Sequence, residues 1–133
     1  QNARAVIATY YAAFNANDAA GMLALVSDEV EHRVNEGGIR RGRGKFAEFC
    51  SHMGVSYRER LDPIEIFVNA DGTRGAAEFT VHGEYLKTDP GLPEARGQRY
   101  ILPAGAFFDL CDGKITRVTT FYNLADWIAQ VSK

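Results

Sequence analysis

The sequence predicts an α+β fold with helices on one face of a curved antiparallel sheet. Two observations carry this. The first half reads mainly as helices, and the second half reads as long strands in which apolar and polar residues alternate. The pairs Asp71-Gly72 and Asp112-Gly113 stand where tight hairpin turns would join those strands.

Val6, Tyr10, Ala13 and Phe14 recur at helical spacing, so residues 2–16 are expected as an amphipathic helix. The run Asn15-Ala16-Asn17-Asp18 ends it and offers a cap to a short second helix, Ala19 to Val26, carrying Met22, Leu23 and Leu25. Val30, His32 and Val34 alternate with Glu31 and Arg33, which predicts a strand over 29–35 before a turn at Glu36-Gly37-Gly38. Phe46, Phe49, Cys50 and Met53 mark one face of a third helix over 43–53. Strands follow at Tyr57 to Asn69, broken early around Asp62-Pro63, and at Thr73 to Leu86. The turn-rich segment Thr88 to Gly97 is a loop. Gln98 to Cys111 and Lys114 to Tyr122 are the last strands, and Asn123 to Val131, carrying Trp127, is a closing helix.

The 133 residues suit a single domain, 1–133. A 46% hydrophobic share excludes a disordered chain. Fifteen Lys and Arg against 17 Asp and Glu give a net charge of −2, which argues against a nucleic-acid binder. No run approaches the ~18 apolar residues of a membrane span, and the N-terminal stretch through Tyr11 lacks the apolar core of a signal peptide. Cys50 and Cys111 form no CxxC, so a reducing, cytoplasmic setting is expected. His32, His52 and His82 form no zinc motif, and no phosphate- or dinucleotide-binding glycine loop is present, so neither metal nor cofactor is expected. The cluster Arg40, Arg41, Arg43 and Lys45 reads as a solvated loop entering a helix rather than an anion site.

Four segments carry a family resemblance. They are Tyr10-Tyr-Ala-Ala-Phe-Asn-Ala-Asn-Asp18, Leu25-Val-Ser-Asp-Glu-Val30, Gly42-Arg-Gly-Lys-Phe46, and Ala104-Gly-Ala-Phe-Phe-Asp109 with Asp112-Gly-Lys-Ile-Thr-Arg-Val118. On them the chain resembles the nuclear transport factor 2-like superfamily, in its ketosteroid isomerase and SnoaL-like polyketide cyclase branch. The resemblance implies a cone-shaped curved sheet of the cystatin-like kind, a cavity for a small apolar ligand, and homodimers paired through the outer sheet face. It fixes no reaction, since one fold hosts many functions.

The cone divides each strand into an inner and an outer parity. In 73–86 the inner set is expected to be Ala77, Phe79, Val81, Gly83 and Tyr85, with Glu78, Thr80, His82 and Glu84 outside. The next strand is expected to turn Arg99, Ile101, Pro103, Gly105 and Phe107 inward, and the last one Val118, Thr120 and Tyr122.

Steroid isomerisation by this family uses a carboxylate base with a tyrosine and a neutral aspartate as oxyanion donors. The resemblance places the tyrosine at Tyr10, the base position at Val34 and the aspartate position at Gly105. Neither valine nor glycine can do that work, so efficient steroid isomerisation is not expected. His32 shares the strand face of Val34 and is the replacement base, while Asn35 and Glu36 would enter the site if the turn bulged. Tyr85, Arg99 and Tyr122 form an expected polar rim, where Arg99 suits a carboxylate or phenolate. Phe14, Phe79 and Phe107 supply aromatic lining, Cys50 is a small apolar filler, and Trp127 closes the base or the mouth of the cone. His52 and His82 are expected at the surface. The expected ligand is a flat, apolar, oxygenated molecule, turned over by acid-base chemistry or simply bound.

Overall fold

The computed structural model describes residues 2–133. Helix α1 (Ala3–Asn15) starts where the Asn2 side chain accepts the Ala5 N–H at 3.0 Å. It buries Val6, Ile7, Tyr10 and Tyr11 along one stripe. Asp18 caps α2 (Ala19–Leu23) by accepting the Gly21 N–H at 2.9 Å. This helix stops short of the predicted Val26 because Leu25 is drawn into the sheet, where its carbonyl accepts the Ile115 N–H at 2.8 Å. Strand β1 (Val26–Val34) therefore begins earlier than the alternation suggested.

A short strand β2 (Arg40–Arg41), not anticipated from sequence, pairs back on β1 with Arg40 opposite His32. Helix α3 (Arg43–Ser56) runs past the predicted end. Four long strands follow: β3 (Tyr57–Val68), β4 (Arg74–Tyr85), β5 (Gln98–Cys111) and β6 (Lys114–Tyr122). Helix α4 (Leu124–Val131), capped by Asn123, ends the fold.

The six strands make one curved, unclosed sheet in the order β2-β1-β6-β5-β4-β3. Neighbours are antiparallel except β1 and β6, which run parallel. The expected antiparallel sheet thus carries one parallel seam. The reason is topological: β1 leaves the helices at the far edge of the cone and enters beside the last strand. Helix α1 lies against β3 and β4, α3 against β1 and β3, and α4 against β5. The core fills the space between.

Two bulges set the faces. One interrupts the β3/β4 register between Leu61 and Ile64, at the predicted break around Asp62-Pro63. The other lies between Asp109 and Leu110. Beyond the Asp112-Gly113 turn, Leu110 faces Ile115, but past the bulge Phe108 faces Val118 and Ala104 faces Tyr122. The extra residue is Thr116 in β6, so β6 changes parity between Ile115 and Val118 while β5 keeps its even positions inside throughout. Tyr100, Leu102, Ala106 and Phe108 are buried inside, while Arg99, Ile101, Pro103, Gly105 and Phe107 point outward, opposite to expectation. Strand β4 keeps its predicted faces, with Phe79, Val81 and Tyr85 buried.

Candidate functional site

The helices and the inner sheet face enclose a cavity of about 610 Å³ that opens to solvent. Most of its wall is apolar, with Phe14, Val34, Phe46, Phe49, Cys50, Phe79, Val81, Leu102 and Ala104 contributing. Asn17 and Asp18 stand on its wall between α1 and α2, and most of its other polar groups stand in two regions.

The first region lies where α1, α3 and β1 meet. Tyr10, on the buried stripe of α1, packs edge-on to Tyr11 and Phe108 and stacks on Phe46. Burial pushes its phenol well above the usual range, and Tyr11 and Cys50 add to the rise, so it stays protonated as a donor. His32 is 3% exposed. Its ring lies 5.0 Å from Phe46 and 4.4 Å from Phe49 between centroids. Burial, with a smaller contribution from the nearby Arg40 cation, lowers its pKa to about 4. His32 is thus neutral near pH 7, and its buried Nδ1 has no partner. Arg40 also lines the cavity, with its guanidinium 4.5 Å above the Phe49 ring. The other cations of the basic cluster are paired: Arg41 with Glu31 at 2.6 Å, Arg43 with Asp28, and Lys45 with Glu48 at 4.0 Å.

The second region is built by β3, β5, α4 and the 88–97 loop. Glu59 is half-buried and projects into the cavity from the inner parity of β3. The Tyr100 hydroxyl donates to its Oε2 at 2.5 Å. Burial raises the Glu59 pKa, and the Tyr100 bond opposes that rise. Asp89 is the other carboxylate of this region. Its Oδ2 accepts from the Tyr57 hydroxyl at 2.7 Å and stands 3.1 Å from His52 Nε2. Tyr57 stacks on Tyr85 with ring centroids 5.4 Å apart, and Trp127 lies against Tyr57, Tyr85 and Tyr100. Tyr122 also lines the cavity, its phenol raised by burial and by the Glu59 and Asp89 charges.

Of the residues expected to act on or touch a ligand, Tyr10, Phe14, His32, Val34, Cys50, Phe79, Tyr122 and Trp127 share this cavity. Asn35, Glu36, Tyr85, Arg99, Phe107 and Val118 do not line it. Asn35 and Glu36 both take positive φ, at 51° and 64°, and the Gly37 N–H closes on the Val34 carbonyl at 2.9 Å. That is a tight turn, not an inward bulge. It leaves Glu36 exposed and spends the Asn35 side chain on the Tyr122 N–H at 2.8 Å. Arg99 points outward, its side chain 85% exposed, and Phe107 is 48% exposed on the same outer face. Val118 is core. Tyr85 is fully buried, and its hydroxyl is spent on the loop, donating to the Pro93 carbonyl at 2.6 Å and accepting the Asp89 N–H at 2.9 Å.

Glu59, Tyr57, Tyr100, Asp89 and His52 were missed. A signal for Glu59 was present, since it shares the parity of Tyr57 and Leu61 while Arg58 and Arg60 take the other face. His52 is exposed, as expected, and also stands at the cavity edge, while His82 stays outside with Nε2 2.9 Å from the Asp62 carbonyl. Among the described residues, no group of three or more His, Cys, Asp or Glu stands together as a metal site. No helix among them is long and apolar enough to cross a membrane.

The sequence profile of the SnoaL-like domain family matches residues 7–118. No protein of curated function matches the chain significantly. Among solved structures, the chain is similar to a candidate polyketide cyclase from Silicibacter sp. TM1040, with 61% identity, 100% of this chain and 97% of that chain covered, and a TM-score of 0.97. It is similar also to a candidate polyketide cyclase from Pseudomonas putida KT2440, with 54% identity, 98% of each chain covered and a TM-score of 0.97. An NTF2-like protein of unknown function from Burkholderia pseudomallei K96243 shares the fold at 18% identity, 100% and 99% coverage and a TM-score of 0.83. With most of its length inside the family profile and the cavity held between helices and curved sheet, the chain belongs to the SnoaL-like domain family, on the nuclear transport factor 2-like fold.

Proposed function

We propose that residues 1–133 act as a cofactor-independent acid-base isomerase, lyase or cyclase on an apolar, oxygenated molecule of polyketide, terpenoid or steroid type. These reactions share a step, removal of a proton next to a carbonyl, and they need the resulting enolate oxygen to be held. The observation that carries the reading is the pairing of an open apolar cavity with shifted titratable groups on its wall. Tyr10 keeps its proton and serves as the oxyanion donor. Neutral His32, with Nδ1 unsatisfied, suits a hydrogen bond to a substrate oxygen. Its weak hold on a proton suits that role better than the base role that the sequence suggested. Identities of 54% and 61% to two candidate polyketide cyclases support the ligand class.

Steroid isomerisation stays outside the reading. Val34 lines the cavity without a carboxylate, Gly105 points away, and the inward neighbours Ala104 and Ala106 carry no donor. Val34 favours a second reading, a pocket that binds without turnover. Deuterium exchange at the C2 protons of 1-tetralone in D2O, followed by NMR, separates the two. The enzyme reading expects exchange above buffer, reduced about 10²-fold in Tyr10→Phe. Binding of 1-naphthol with no exchange would leave the binding reading.

The reading includes a homodimer formed through the outer sheet face. Phe67, Ala76, Phe107 and Thr119 form one row across four strands, with Phe67 52% exposed and Phe121 against Phe107. Native mass spectrometry tests it, with a monomer from Phe67→Glu as the expected result. The free thiols of Cys50 and Cys111 suit a reducing compartment, the cytoplasm in this reading.

A further inference from the structure

We propose that Glu59 is the catalytic base of this cavity, held in place by Tyr100 through a gap in the sheet that Gly83 leaves open. This inference rests on the acid-base reading above and names a group in that site which the family comparison does not assign.

Three residues stand in one row across β3, β4 and β5. Glu59 on β3 faces Gly83 on β4, and Gly83 faces Tyr100 on β5. All three belong to the inner parity. Tyr100 and Glu59 are therefore separated by a whole strand, and an ordinary side chain at the middle position would stand between them. A Cβ on Gly83 would lie 2.2 Å from Tyr100 Cζ and 2.5 Å from its hydroxyl oxygen. The ring occupies the space of the absent side chain, crosses β4 and donates to Glu59 at 2.5 Å.

Three carboxylates line the cavity and they are not equivalent: Asp18 is spent as the cap of α2, accepting the Gly21 N–H. Asp89 is held by both Tyr57 and His52 on one oxygen. Glu59 has the single bond from Tyr100 and no cation within ion-pair distance among the described residues. Its other oxygen is thereby left for a ligand. A carboxylate facing an apolar cavity without a counter-charge is a stronger base than one in water. The raised pKa of Glu59 agrees with this geometry.

In the step itself, Glu59 takes a proton from the carbon next to a substrate carbonyl. The C–H electron pair becomes the carbon–carbon double bond, and the carbonyl π pair moves to oxygen, where Tyr10 holds the enolate. Glu59, now the neutral acid, returns a proton to carbon, which gives isomerisation or exchange. Tyr100 touches Glu59 rather than substrate and is a positioning residue.

The test is the 1-tetralone exchange assay on the full chain. Glu59→Gln keeps the size and an acceptor for Tyr100, and is expected to lose about 10²-fold or more in exchange rate. Calorimetry with 1-naphthol should show its pocket still able to bind. Exchange within threefold of wild type in Glu59→Gln, with loss in Tyr10→Phe, would overturn the assignment and leave the acid-base reading standing. Wild-type protein that binds 1-naphthol but gives no exchange above buffer would overturn both. Tyr100→Phe supplies a second reading that leaves the carboxylate in place. Because the phenol favours the ionised form, its loss should move the rate–pH profile to higher pH, and an unmoved profile would count against the pair.

Discussion

Gly83 and Tyr100 face each other across β4 and β5, and the ring of one fills the side-chain space of the other. The glycine here is required by a close approach rather than by a turn. Gly83→Ala must push a buried, closely packed ring away and should cost about 1–3 kcal/mol of stability. Chemical unfolding measures it. Replacing Tyr100 by Ala at the same time should recover part of that loss, because the two changes share one space. Strict additivity in that cycle would contradict the proposed coupling.

His32 makes stability depend on pH. Its folded pKa, about 4, lies below its ordinary value near 6.5. The unfolded chain therefore binds the proton more readily. The stabilising contribution is complete above pH 6.5 and is lost as pH falls towards 4, reaching about 3 kcal/mol. Urea midpoints between pH 7.5 and 4.5 should fall in wild type and fall much less in His32→Gln.

The 88–97 loop is held by one phenol. Tyr85→Phe removes both hydroxyl bonds, to the Pro93 carbonyl and from the Asp89 N–H. About 1 kcal/mol of local protection should go with them. Hydrogen exchange at the Asp89 amide should quicken roughly fivefold while β5 and β6 stay protected. Unchanged exchange at that amide would show that the loop is held elsewhere.

Trp127 is the single tryptophan and lines the cavity. Its emission should therefore report occupancy. Titration with 2-decalone, which does not emit, should change Trp127 fluorescence saturably. A linear response indistinguishable from that of free tryptophan would place the ligand elsewhere.

The fold was legible because its devices are local. Asp71-Gly72 and Asp112-Gly113 both sit at their hairpins, and the alternation in 73–86 needs only one charged parity to assign its faces. Strand β5 failed because both of its parities are apolar. Ile101 and Phe107 look as internal as Leu102 and Phe108, and a turn without a bulge would have placed Phe107 opposite Val118. The charges at Arg99 and Asp109, on one parity, were the available warning. The cavity's first polar region was legible because Tyr10 and His32 lie on the inner faces of predicted elements. The second was hidden because Tyr100, Gly83 and Glu59 become neighbours only through the registers of two strand pairs. Asp89 reaches His52 and Tyr57 only through the path of an irregular loop.

The parallel seam between β1 and β6 governs when the molecule can be completed. Asn35 clasps the Tyr122 N–H across 87 residues of chain, and its own N–H reaches Thr120. On a ribosome, β1 emerges early and then waits for the last long strand before its inner edge has a partner. Such long-range closure is slow to form, since the loop entropy is lost before the contacts return it. The seam also joins the strand of His32 to the strand of Tyr122. The cavity wall therefore cannot close until the last long strand has been made.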